Sequence, residues 1–296
     1  MIDNFFEVIF PGYKESVKPI IGPWETLRDI DRAIRSGFDT RAFESKCLTN
    51  SPFGDSFDVV LEDCPIDVLK EYKILILLGE IKAKPNLIRK LRAYVEGGGI
   101  LIANTAQIDS SRQLQKLFGV RGKGEVKEGE TSICHLCGKR FNESLYTYTK
   151  VEADKALIKA TNEHGDILIT SNKVGVGEAI LTTPSYLQIK DSGKFLNIGT
   201  DLLHHVMEGL SPVKIIGPPI QYIVNELERG LVVVLLNHNE DDWNGEIIVK
   251  VPSRRVYKVA EIWKALEIEH CTDGNEVKFN ANVSGYGFSI YRIQQT

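Results

Sequence analysis

The stretch that decides the fold is "KILILLGEIKAKPNLIRKLRAYVEGGGILIAN", Lys73–Asn104. Its first seven residues, Lys73–Gly79, are almost wholly apolar, the pattern of a strand buried on both faces of a parallel sheet. Leu87, Leu91, Tyr94 and Val95 then share one helical face. Gly97–Gly99 end that helix, and Ile100–Asn104 is a second doubly buried strand. Strand, helix, strand in this order is a right-handed crossover between parallel strands. A phosphate cradle needs the order strand, glycine loop, helix N-terminus, so that N–H groups face the anion. Here the glycines follow a helix C-terminus, where outward carbonyls repel anions. They predict an αL cap and a tight turn.

Outward from this unit the alternation continues. Phe5–Phe10 reads as a strand closed by Pro11-Gly12, and Pro23–Gly37 as a helix with Leu27, Ile30 and Ile34 in phase. Phe57–Asp63 reads as a strand, Pro65–Tyr72 as a helix and Ser110–Gly119 as a short capped helix. Between Gly122 and Thr183 the pattern changes to short strands, and Gly193–Leu210 closes it with an amphipathic helix. The expected fold class is α/β: a flavodoxin-like, open, mostly parallel sheet with helices on both faces, over residues 1–211. Residues 212–296 carry only strand patterns at regular spacing, which predicts a small antiparallel β-sandwich.

Composition narrows the function classes. A chain of 296 residues with 43% apolar and 26% charged residues suits a soluble two-domain protein. The net charge of −4 gives no electrostatic grip on nucleic acid or on an anionic membrane, so neither is expected as a partner. No apolar run reaches membrane-spanning length. "MIDNFFEVIFPGY" lacks the basic flank of a secretion signal, which as written predicts a cytoplasmic chain; a piece of a longer secreted protein would read the same. Five cysteines predict reduced thiols, and no motif calls for a cofactor.

The run Tyr72–Asn104, with "SPFGDSFDVVLED" (Ser51–Asp63) before it and "NKVGVGEAILTTP" (Asn172–Pro184) after it, resembles the amidotransferase-like domain in the C-terminal half of bacterial β-galactosidase-type glycosidases. That resemblance implies a trimerisation module followed by a β-sandwich, with the catalytic (β/α) barrel and its paired acids elsewhere. Its implied partners are further copies of the chain or a glycosidase barrel, and carbohydrate. The class I amidotransferases of the same superfamily carry a cysteine nucleophile on a glycine-flanked elbow after a central strand. This chain has Asn104-Thr105-Ala106 there, with no thiol and no framing glycines. Thr105 reads as a helix or turn cap.

Strand C-termini are where such sheets bind ligands, which makes Glu80, Asn104 and Thr105 candidate binding residues. Cys64, after a strand and before Pro65, is the candidate nucleophile, against a half-buried thiol. Cys134 and Cys137 in "ICHLCGKRF" form half a zinc site by spacing, against two thiols at a β-turn, because no second pair follows. His204-His205 diverge by about 100° on a helix, which predicts one packed and one solvated ring. Asp55, Asp58, Glu62 and Asp63 could supply a glycosidase carboxylate pair, and read instead as turn and cap residues. Trp243 is a candidate sugar-stacking residue, while Trp263 reads as core. The sum is a non-catalytic accessory or oligomerisation region related to glycoside hydrolases. The alternatives are a glycoside hydrolase or cysteine hydrolase with an atypical site and a carbohydrate-binding module.

Overall fold

A computed structural model describes residues 60–77, 83–190, 196–207, 210–218, 220–252 and 257–296. The expected elements at Phe5–Phe10 and Pro23–Gly37, and the candidates Asp55, Asp58 and Glu80, lie outside them. The described residues divide into two units, residues 60–206 and 207–296. Among them, no helix is long and apolar enough to cross a membrane.

The first unit opens with α1 (Ile66–Leu69), β1 (Ile74–Ile76), α2 (Pro85–Glu96) and β2 (Ile100–Asn104). Two short helices follow, α3 (Thr105–Ile108) and α4 (Arg112–Phe118). Then come β3 (Val120–Cys134), β4 (Arg140–Ala153), β5 (Leu157–Thr161), β6 (Ile167–Val174) and β7 (Gly177–Thr182). Helix α5 (Asn197–Met207) ends the unit. One sheet runs in the order β1-β2-β7-β6-β5-β3-β4.

This overturns the flavodoxin-like reading. Only β1–β2 and β2–β7 are parallel; every other pair in the sheet is antiparallel. The physical reason lies after Phe118. A parallel neighbour needs a crossover of a dozen or more residues, usually a helix. The chain instead reverses at Gly138 (φ 68°), Gly165 (φ 77°) and Gly175 (φ 62°), positions that only glycine occupies without strain. These make the β3–β4, β5–β6 and β6–β7 hairpins. The 15- and 14-residue strands of the first are built from alternating β-formers such as Tyr146-Thr147-Tyr148-Thr149. Smaller expectations shift as well. Residues 60–63 form a loop and turn rather than a strand, and the expected helix Pro65–Tyr72 shrinks to α1.

Side-chain alternation along the strands divides the unit into two cores. Leu101, Ala103, Ala179 and Leu181 face α2 and α4, where they meet Leu91, Val95, Leu114 and Phe118. Ile102 and Ile180 face the other way, toward Tyr146, Tyr148, Leu168 and the α5 residues Ile198 and Leu202.

The α2–β2 connection is tighter than an αL cap. Gly97 has φ −81°, and Gly98 takes the positive φ of 109°. A Cβ on Gly99 would lie 2.1 Å from the Tyr94 ring. The Tyr94 hydroxyl donates to the Tyr72 carbonyl at 3.0 Å. The β6–β7 turn lies against the same helix end: the Val176 and Glu178 amides donate to the Glu96 and Gly99 carbonyls. The Glu96 carbonyl, left over at the helix C-terminus, is thereby satisfied.

The second unit contains β8 (Val213–Ile216), β9 (Gln221–Leu227), β10 (Gly230–Leu236), β11 (Trp243–Lys250), β12 (Tyr257–Glu261), β13 (Leu266–Glu267), β14 (His270–Asp273), β15 (Glu276–Val283) and β16 (Phe288–Gln295). They form a five-stranded sheet, β13-β12-β16-β10-β9, and a four-stranded sheet, β14-β15-β11-β8, both antiparallel. Val233, Val259 and Ile293 of the first share one core with Ile247, Val249 and Val277 of the second.

Gly177→Ala is the sharpest test of the first unit. Its Cβ would stand 2.0 Å from the Val95 carbonyl oxygen and 2.5 Å from that of Gly99. The loss of stability in urea unfolding is expected to be about 2–3 kcal/mol or more, because backbone must move. Gly165→Ala, whose Cβ meets nothing within 4 Å, bears only the αL penalty of roughly 1–2 kcal/mol.

Candidate functional site

The β3–β4 hairpin ends in a four-residue turn that brings two thiols together. Cys134 is the last residue of β3, and its amide donates to the Lys139 carbonyl at 2.8 Å, so the turn is closed. Gly138 supplies the positive φ. Asp201, on α5, is held by both thiols: Cys134 Sγ donates to Oδ2 at 3.2 Å and Cys137 Sγ to the same oxygen at 3.4 Å. Lys139 Nζ stands 3.6 Å from the other oxygen, Oδ1. Cys134 is buried and Cys137 exposed. Burial first, then hydrogen bonding to Cys137, pushes the Cys134 thiol up to about 11.

Asp201 is placed by a second contact between hairpin and helix. The buried Glu143 of β4 accepts from the Asn197 and Ile198 amides, both at 2.9 Å, and from Ser132 Oγ at 2.7 Å. A carboxylate on the first amides of a helix satisfies orphan donors and suits the dipole. Asp201 is one turn further along. Neither acid is visible from sequence spacing, because they lie 64–67 and 54–55 residues from their partners.

A second polar network lies on the same sheet. The Tyr148 hydroxyl donates to Asp166 Oδ2 at 2.6 Å, Lys150 Nζ is 2.9 Å from Asp166 Oδ1, and Asn162 Nδ2 donates to the Tyr148 oxygen at 3.0 Å. Lys150 and Asp166 line two surface grooves of about 460 and 680 Å3. Burial alone would raise the Asp166 carboxyl. Hydrogen bonds from Tyr148 and Lys150 outweigh it and hold the group below its ordinary value. Tyr148 is pushed up to about 12, by burial and then by its bond to Asp166.

The sequence-derived candidates are scattered rather than gathered. Asn104 is buried at the end of β2 and its amide is fully engaged. Oδ1 accepts from the Ala106 amide at 3.1 Å, while Nδ2 donates to the Thr182 and Pro184 carbonyls at 3.1 and 2.6 Å. With Gln107 Oε1 accepting from the Asn104 backbone amide at 2.6 Å, Asn104 is the N-cap of a capping box, and Thr105 is a buried first-turn residue rather than the cap. Cys64 is half-buried, packed against the α2-side core beside a helix of four residues. Glu62 pairs with Lys84 at 2.8 Å. His204 and His205 are both exposed, against the expectation of one packed and one solvated ring. In the second unit the two tryptophans exchange roles. Trp243 is 3% exposed and donates from Nε1 to the Pro218 carbonyl at 2.8 Å, whereas Trp263 is 71% exposed and meets Phe288 edge-on at 5.4 Å.

No family model matches the sequence, and no curated protein matches it. Solved structures do. The chain is similar in fold to the alpha-L-fucosidase isoenzyme 2 of Paenibacillus thiaminolyticus, with TM-score 0.62 and 15% identity, over 86% of this chain and 44% of that one. Gan42B, a GH42 beta-galactosidase from G. stearothermophilus, gives TM-score 0.58 and 15% identity over 82% and 35%. The beta-galactosidase of Bacillus circulans sp. alkalophilus gives 0.53 and 14% over 76% and 33%. The chain therefore spans less than half the length of each, and the likeness is to the fold of part of a glycoside hydrolase.

Asp166→Asn tests the second network. The carboxylate's folded-state value lies below its ordinary value of 3.8, so its stabilisation is complete above that value and is lost as pH falls through the lowered one. In thermal unfolding across pH, the variant is expected to be less stable than the wild type at neutral pH. The difference should narrow as pH falls below about 4.

Proposed function

We propose that this chain is a non-catalytic assembly region of a glycoside-hydrolase-type protein. In this reading it corresponds to the amidotransferase-like trimerisation domain and following β-sandwich of β-galactosidase-type enzymes. It associates with its own copies or with a catalytic barrel. The observation that carries the proposal is the fold likeness over 82% of this chain to only 35% of a GH42 beta-galactosidase. The end of β2 supports it: where an amidotransferase nucleophile would sit, Asn104 is committed to capping and sheet contacts and Thr105 is buried. Light scattering of the purified chain should give a dimer or trimer mass, with no turnover of chromogenic galactosides or fucosides. A monomer at high concentration, with turnover that Cys64→Ala removes, would sink the proposal.

A second reading, carbohydrate binding, is favoured by one observation: the exposed Trp263 beside Phe288 offers an aromatic face of the kind that stacks on sugar rings. Titration calorimetry with oligosaccharides should then lose its signal in Trp263→Ala at unchanged melting temperature. Equal binding by the variant, or none by the wild type, removes this reading.

A further inference from the structure

Three metal-ligand atoms from two separate parts of the chain converge at the hairpin tip. The sulfurs of Cys134 and Cys137 and a carboxylate oxygen of Asp201 all lie within 4.8 Å of one another. We propose that Cys134, Cys137 and Asp201 bind one zinc ion, which ties the β3–β4 turn to α5.

The distances fit. A tetrahedral zinc with Zn–S of about 2.3 Å and Zn–O of about 2.0–2.2 Å has S···O edges of about 3.5 Å. The two S···O separations here are 3.2 and 3.4 Å, and both run to the same oxygen, Oδ2. These match two edges of one triangular face of such a tetrahedron, and the third, between the two sulfurs, is within 4.8 Å. The fourth vertex belongs to solvent on the side of the exposed Cys137. Two thiolates select zinc over calcium or magnesium, which take oxygen ligands.

The surroundings hold the ligands in place. The Cys134 amide closes the turn on Lys139, and Gly138 gives the turn its left-handed residue. Glu143 fixes the first turn of the helix that carries Asp201. Lys139 sits on Oδ1, leaving Oδ2 to the metal, and its charge offsets the excess negative charge of two thiolates and a carboxylate around a divalent ion. In balanced form, one zinc ion, two thiols and one carboxylate give a singly negative complex and two released protons.

The test uses the full chain, reduced, stripped with chelator and dialysed against zinc sulfate. Elemental analysis should find one zinc per chain in the wild type and none in Cys137→Ser, with affinity lowered at least about tenfold in Asp201→Asn. Cobalt in place of zinc should give thiolate-to-metal charge-transfer absorption and the strong visible bands of a four-coordinate ion in the wild type alone. Zinc should raise the melting temperature of the wild type and leave that of Cys137→Ser unchanged. Cys137 is exposed, so the metal-free variant should melt with the metal-free wild type. The proposal falls if the reduced wild type takes up no more zinc than Cys137→Ser. It falls equally if cobalt binds without a thiolate signal.

Discussion

The first unit depends on one close approach: the β6–β7 turn seated on the C-terminus of α2. There is no room between them for a side chain at Gly177 or Gly175, where a Cβ would meet the Val95 or Glu96 backbone carbonyl at 2.0 or 2.6 Å. One hairpin amide takes up the last helical carbonyl, that of Glu96, and the Glu178 amide of the next strand takes up that of Gly99, so the closeness is also the hydrogen-bonding solution. Because this turn is fixed, β7 lies parallel to β2 on one side and antiparallel to β6 on the other. It is the seam between the crossover half of the sheet and the meandering half. Asn104 locks the far end of the seam through Thr182 and Pro184.

The other face is organised by charge and hydrogen bonding as well as by apolar packing. Glu143 reaches from the long hairpin to the start of α5, and Asp201 reaches back from α5 to the hairpin tip. A buried carboxylate is costly unless its lone pairs are met, and Glu143 meets amides, Ser132 and the Asn197 amide group at once. The same logic makes the Tyr148–Asp166–Lys150 group a closed set rather than a stray charge.

The sequence was most legible where structure is local. The α2 face, the end of that helix at glycine and the apolar β2 follow from spacing within Lys84–Asn104. One crossover extended over the whole domain predicts parallel neighbours throughout, whereas Gly138, Gly165 and Gly175 mark reversals. Trp243 and Trp263 depart from their expected places for steric reasons. Gly245 leaves space for the Trp243 ring, since a Cβ there would stand 2.4 Å from it, and Trp263 falls in a turn that contains Ala265 at φ 52°. In the candidate metal site the C-x-x-C half was readable. Its third ligand was not, because only the folded sheet brings Asp201 within reach.

The pairing of β2 with β7 sets an order of events on the ribosome. Asn104 pairs with Thr182, 78 residues later in the chain. At synthesis rates of about 5–20 residues per second, the apolar β2 waits roughly 4–16 s for its second neighbour. During that interval one edge of a strongly apolar strand stands open beside whatever the nascent chain meets. The capping box that follows β2 immediately gives the waiting strand a defined end, and the long charged hairpin is made before the seam can close.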